Sequence, residues 1–140
     1  MARMNMGRLV LGGLVAGAVA NGLDYVINGI LMKREMDDMI QRLNLSQIVV
    51  NNSMLTWIIV DFVWGVLLVF TYAAMRPRFG PGPKTAVVSG ATLWLAVCAM
   101  FAGLAAMGIY TEQAFIKSAA LTLVSTIVAS LVGAAIYKEE

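Results

Sequence analysis

Four long runs of apolar residues, separated by short polar stretches, constrain this chain more than any other feature. The runs cover about residues 9–32, 54–75, 85–107 and 114–137. At the rise of an α-helix, runs of this length reach roughly 33–36 Å, which exceeds the hydrocarbon core of a bilayer, about 30 Å. Lipid offers the backbone no hydrogen-bond partners, so each run must be helical. The sequence therefore predicts an all-α membrane protein, a single domain with a bundle of four transmembrane helices.

Composition supports this prediction and excludes several classes of protein. Of the 140 residues, 60% are hydrophobic and 13% are charged, and the net charge is only +2. Soluble domains carry roughly 25% charged residues. A nucleic-acid binder, a secreted mini-domain and a disordered tail are therefore excluded, and the lipid bilayer is the expected surrounding.

The residue types that build most cofactor sites are scarce. The chain has no histidine, and its one cysteine, Cys98, lies inside the third run. Imidazole ligation of haem, copper or zinc is excluded, as is an intrachain disulfide. The sequence also lacks the motifs of hydrolytic and metal-dependent enzymes. We expect no catalytic residues, no metal and no cofactor.

The N-terminal run could be mistaken for a cleaved leader, because residues 18–20 resemble a signal-peptidase site. Its apolar character continues to Met32, however, beyond the usual length of a leader, so it is predicted to be a retained helix. Four spans place both termini on one side. That side collects six basic residues against four on the other. The six are Arg3, Arg8, Arg76, Arg78, Lys84 and Lys138. The positive-inside rule then predicts cytoplasmic termini.

The first connection, residues 33–53, is too long for a simple turn. Met36, Met39, Ile40 and Leu43 recur in it at helical spacing, with polar residues between them. This pattern predicts a short amphipathic helix that lies on the membrane or caps the bundle. A helix that merely connects two spans fits equally well.

The second connection holds all three prolines of the chain. It reads Arg-Pro-Arg-Phe-Gly-Pro-Gly-Pro-Lys over residues 76–84 and contains no acid. Such a sequence predicts a stiff, ordered turn. Its cations, Arg76, Arg78 and Lys84, are candidates to contact lipid headgroups or an acidic partner. Alternatively, they only fix the topology.

This loop and its flanks, residues 72–86, resemble a loop in small uncharacterised bacterial membrane proteins. Those proteins are similar in length and in their four-span layout. The resemblance implies a bacterial inner-membrane protein, and it implies no activity and no functional residues.

Polar residues inside the runs are the candidate site. Asn21, Asp24 and Asn28 share one face of the first helix, and Asp61 lies in the second. Measured from the predicted helix ends, the two aspartates should lie at similar depth. Thr122 of the fourth helix comes near the same depth, in a stripe of small and hydroxyl residues suited to close packing. No Lys, Arg or His lies in the interior of the predicted spans to neutralise the carboxyls. Placing an ionised carboxylate within the membrane costs at least about 2.5–3.5 kcal/mol of insertion free energy.

Three states are possible for these polar residues. Each carboxyl can be protonated and donate a hydrogen bond, the two can share one proton, or both can be ionised around a cation. The same residues can also serve as packing contacts between helices. Trp57 and Trp64 flank Asp61 and could contact a flat ring or lipid, or simply pack against helices.

Two functions remain. The first is a non-catalytic accessory subunit of a larger membrane complex, with other membrane subunits as partners. The second is a small ion- or proton-coupled transporter or channel that acts as a homo-oligomer through Asp24 and Asp61. Neither the substrate nor the partner can be predicted from these residues.

Overall fold

The computed structural model describes residues 4–138, so Arg3 of the topology count lies outside the described residues. A π-helical turn, Ile27–Leu31, follows the first helix directly. The α-helices in the described part of the chain are α1 (Met6–Val26), α2 (Lys33–Arg42), α3 (Gln47–Phe79), α4 (Pro83–Ala106) and α5 (Glu112–Ile136).

The all-α prediction is confirmed: no strand occurs among residues 4–138. Four of the helical segments in this part are long and apolar enough to cross a membrane, namely α1 with its π turn, α3, α4 and α5. The chain is thus an integral membrane protein with the architecture of a four-helix bundle.

The limits of the second span differ from the prediction at both ends. The helix begins at Gln47 rather than Met54, because the Ser46 side chain accepts a hydrogen bond from the Val49 amide and caps it. It also continues to Phe79 rather than Met75, through Pro77. Proline removes one backbone N–H from the hydrogen-bond pattern, and α3 ends two residues after it. The surface segment predicted over residues 33–53 is consequently shorter, consisting of α2 and a brief loop.

The loop between α3 and α4 is ordered, in agreement with its composition. Gly80 ends α3 with a φ of 83°, a left-handed conformation that favours glycine. The Thr85 hydroxyl donates a hydrogen bond to the Gly80 carbonyl, and the Gly82 amide donates one to the Tyr72 hydroxyl. Pro83 occupies the first turn of α4, where its missing N–H costs nothing.

The helices pack in a defined order. α1 lies against α3 and α5, whereas α4 lies mainly against α5. Leu9, Val69, Tyr72 and Tyr137 belong to the largest buried cluster, at the end of the bundle that holds the α3–α4 loop. Between α4 and α5, the Ser130 hydroxyl donates a hydrogen bond to the Ala86 carbonyl at 2.7 Å. The α1–α3 seam, described next, carries the predicted polar residues.

Candidate intramembrane polar site

Glycines bring α1 and α3 into backbone contact. A Cβ atom on Gly13 would lie 2.7 Å from the Val66 Cα, and one on Gly17 would lie 2.7 Å from the Phe62 Cα. A Cβ on Gly65 would collide with the Gly13 carbonyl oxygen and the Gly17 amide nitrogen. This spacing of small residues is what close helix packing within lipid requires. The seam therefore has no room for a side chain, or for a passage, at this level.

Asn21 continues the seam one turn further along α1. Its side-chain Nδ2 donates hydrogen bonds to the Gly17 carbonyl at 3.0 Å and to the Ile58 carbonyl of α3 at 3.3 Å. Both amide hydrogens are thereby used. The Oδ1 atom of Asn21 remains as an acceptor beside the two helices.

The two aspartates lie on either side of Asn21. Asp61 is only 8% exposed, and Asp24 is half-buried. Among the described residues, neither side chain forms a hydrogen bond or an ion pair. Asp24, Asn21 and Asp61 thus form an acceptor-rich row, which we call the polar ladder.

The prediction that the two aspartates lie at similar depth is wrong. Because Gly13, Gly17 and Asn21 oppose Val66, Phe62 and Ile58 in turn, the helices are antiparallel and Asp61 is level with Ala18. Asp24 is six residues further along α1, or about 9 Å at the helical rise. The prediction counted depth from Met54, whereas α3 begins at Gln47. Asp61 is the deeper residue and Asp24 lies towards α2.

The other two members of the predicted cluster are placed differently. Thr122 shares a face of α5 with Gly133, three helical turns away, and Gly133 contacts α1. Its hydroxyl donates to the Ser118 carbonyl of its own helix at 2.8 Å, so it offers the aspartates no proton. Asn28 lies in the π turn and is exposed. It is not part of the polar ladder.

The tryptophans do not form one surface. Trp57 is 53% exposed on the outside of α3. Trp64 packs against the buried cluster of Ala20, Leu68 and Ala129. The two tryptophans are therefore not arranged to hold a flat ring between them. Trp57 remains available to contact lipid.

The residues of the polar ladder can support only a few kinds of chemistry. Among the described residues, no group of three or more His, Cys, Asp or Glu side chains could hold a metal ion. Carboxylate and amide oxygens without a basic neighbour can accept protons or ligate a hard cation. On the Gly65 side the ladder ends at the glycine contact, so it reaches inward from the α2 side only.

The predicted basic residues occupy the opposite end of the bundle. The Arg76 guanidinium lies 5.7 Å from the centre of the Tyr137 ring, and it is half-buried. Tyr137 in turn meets Tyr72 edge to face. Arg78 and Lys84 are exposed. Arg76 therefore stabilises the end of α5, and only the other two are open to headgroups.

Contacts at the α2 end were not foreseen from the sequence. Lys117 of α5 forms an ion pair with Glu35 at 2.7 Å and donates to the Leu31 carbonyl at 2.8 Å. The Arg42 guanidinium donates to the Gly108 and Ile109 carbonyls, each at 3.0 Å. These bonds dock α2 onto the loop that follows α4 and onto α5. Of the alternatives for this segment, capping of the bundle is the one that the structure supports.

Two groups at this end have perturbed acidities. The hydrogen bond from Lys117, with help from the backbone of Glu35 itself, holds the pKa of Glu35 below its usual value. Burial raises the pKa of Tyr110, which packs against Phe101 with ring centres 5.5 Å apart. At neutral pH the Glu35 carboxylate is therefore ionised and the Tyr110 hydroxyl is neutral.

The fold and this site define a small all-α membrane bundle with a polar ladder at one helix seam and a docked amphipathic helix at one end. Comparison with protein-family models, with curated proteins and with solved structures finds no match for the chain. The role of the protein must therefore be argued from its surface and its polar ladder.

Sequence reasoning found one side of the seam and missed the other. Gly13 and Gly17 stand out because they repeat at a spacing of four, which favours close helix packing, and both lie against α3. Gly65 has no such repeat. Its position four residues after Asp61 is the only available signal, since small and polar residues at that spacing share a helix face.

Proposed function

We propose that this chain is a non-catalytic accessory subunit of a larger membrane protein complex. The observation that carries the proposal is the outer face of α4. Only 11% of the most apolar stretch of α4 is buried within the chain, against 33% for each of the other three spans. α4 is thus the span with most of its surface left for other molecules.

The exposed face of α4 has the composition of a helix-packing surface. Thr92, Ala96, Ala99 and Gly103 follow one another at offsets of four, three and four, and all are exposed. A Cβ atom on Gly103 would meet nothing within 4 Å. Small residues at this spacing bring helices close together within lipid, as Gly13 and Gly17 do inside the chain. Contact with lipid alone does not require small residues at this spacing.

The test is to enlarge this stripe and measure retention of partner subunits. Gly103→Leu places bulk on the stripe, and we expect co-purified membrane subunits to be lost in mild detergent. Gly22→Leu is the matched control, because Gly22 is an exposed helical glycine of α1 with equally open space around it. Equal retention by both variants, or equal loss, would contradict the proposal.

We further propose a bacterial inner membrane as the location, with both termini cytoplasmic. The supports are the resemblance of the loop at residues 76–84 and the excess of basic residues at that end. A single cysteine placed at the position of Lys84 is expected to be labelled only from the cytoplasmic side. Labelling from the periplasmic side would overturn the orientation.

The polar ladder favours a second candidate, a small ion- or proton-coupled transporter acting as a homo-oligomer. The specific observation is that the buried Asp61, and Asp24 on the helix face that carries Asn21, have no ion-pair partner among the described residues. Since the glycine contact closes the α1–α3 seam, the rest of a pathway would have to be built with another copy.

Flux across proteoliposomes tests this candidate. Asp61→Asn keeps the size and polarity of the side chain, so a transporter is expected to stay folded and lose flux. Glu112→Gln, at the exposed start of α5, is the control. A reconstituted wild-type protein that carries no proton or cation flux would exclude transport and leave the subunit proposal standing.

A further inference from the structure

A wide, open cleft of about 580 Å³ lies beside α2, where the π turn after α1 ends and α5 begins. Ile30 and Leu31 of the π turn form its apolar edge, and the N-terminal half of α2 forms its charged edge. The Lys117–Glu35 ion pair lines it as well. The cleft therefore lies where an apolar span gives way to a polar surface.

The remaining charges of this cleft are unpaired and of both signs. Lys33 and Arg34 begin α2, and Asp37 and Asp38 follow one helical turn later, about 6 Å along the axis. All four side chains are exposed. None of them forms an ion pair within the part of the chain that the structure describes.

Opposite charges four residues apart stabilise a helix only slightly, and the macrodipole opposes the two cations at its start. The macrodipole favours acids in the first turn of a helix and bases in the last, yet Lys33 and Arg34 stand in the first turn of α2. Two cations and two carboxylates, held one turn apart beside an open cleft, instead match a ligand that carries a phosphate and an amine.

We propose that this cleft binds the headgroup of an ethanolamine phospholipid. Lys33 and Arg34 contact the phosphate, and Asp37 and Asp38 accept hydrogen bonds from the ammonium group. The acyl chains lie along Ile30 and Leu31, which are 61% and 46% exposed. A choline headgroup has no N–H to donate, and a glycerol headgroup has no positive charge for the carboxylates. The site should therefore discriminate among phospholipids.

The experiment is native mass spectrometry of the full chain in detergent, titrated with phosphatidylethanolamine, phosphatidylcholine or phosphatidylglycerol of matched acyl chains. We expect the ethanolamine lipid to bind tightest. The double variant Asp37→Asn/Asp38→Asn should lose this preference by about tenfold, the loss expected for a charge-assisted hydrogen bond. Glu112→Gln, an exposed acid at the same end, should keep it.

A second pair of variants tests the phosphate contact. Lys33→Gln/Arg34→Gln should weaken binding of all three lipids, whereas Arg8→Gln/Lys138→Gln, an exposed pair at the other end of the bundle, should not. Three results would overturn the proposal: phosphatidylglycerol binding as tightly as the ethanolamine lipid to the wild type, equal effects of the two basic pairs, or free phosphoethanolamine competing as strongly as the lipid. The last result would indicate a soluble phosphoamine ligand. The comparison of lipids on the wild type does not depend on any variant folding.

Discussion

Gly65 decides how closely the two central helices approach each other. Its missing side chain lets the α3 backbone lie against the Gly13 carbonyl and the Gly17 amide. That contact places Ile58 opposite Asn21 and Asp61 beside the seam. The geometry of the polar ladder therefore depends on one residue that has no polar group.

Gly65→Ala is expected to lower the free energy of unfolding by about 1–3 kcal/mol, the usual cost of overpacking a close contact. The reason is that the new methyl group would collide with backbone atoms, which cannot move away as a flexible side chain can. Unfolding in mixed micelles, followed by circular dichroism, measures the effect. Gly103→Ala serves as the control because its surroundings are open, and it should change stability little. An equal loss in the two variants would contradict the packing described.

Among the helices, the position of each span can be predicted from the sequence, whereas the exact ends of the helix cannot. The apolar runs predicted every span, since lipid leaves the backbone no other arrangement. In the sequence, residues 47–53 belong to the polar connection before the second apolar run. Capping by Ser46 nevertheless extends α3 through them. Helix ends are set by local hydrogen bonds, which hydropathy does not record.

The docking of α2 cannot be predicted from the sequence for a related reason. Its apolar face indicated an amphipathic helix, but Lys117 and Glu35 are separated by 82 residues, and no pattern within one segment reveals such a pair. The polar ladder shows the same limit. Its members were predicted, whereas their offset along the membrane depends on the register between α1 and α3.

Acid should loosen α2. The folded-state pKa of Glu35 is lowered by Lys117, so the ion pair stabilises docking above the unfolded-state pKa, and this stabilisation is lost as pH falls through the folded-state value. Hydrogen exchange of the α2 amides should accelerate relative to that of α5, after correction for intrinsic rates, as pH falls through this range. In Glu35→Gln, the α2 amides should already be less protected at neutral pH and should show little further dependence. Unchanged protection in Glu35→Gln would contradict the role of the pair.

At the scale of the whole molecule, the interior and the exterior of the bundle use the same packing device. Glycines and alanines join α1 to α3 and to α5, and a stripe of the same kind lies exposed on α4. Hydrogen bonds from Arg42 hold α2 at one end, and the ordered loop of residues 80–82 joins α3 to α4 at the other. A bundle with one helix largely uncovered is suited to association within the membrane.

The most direct test of the subunit proposal is the mass of the intact species purified from native membranes in mild detergent. The chain has a mass of 15.0 kDa. We predict that it is recovered in fixed stoichiometry with other membrane subunits, in a complex much heavier than one copy. Recovery as a monomer, or as an assembly of this chain alone, would contradict the proposal, and the homo-oligomer would favour transport through Asp24 and Asp61.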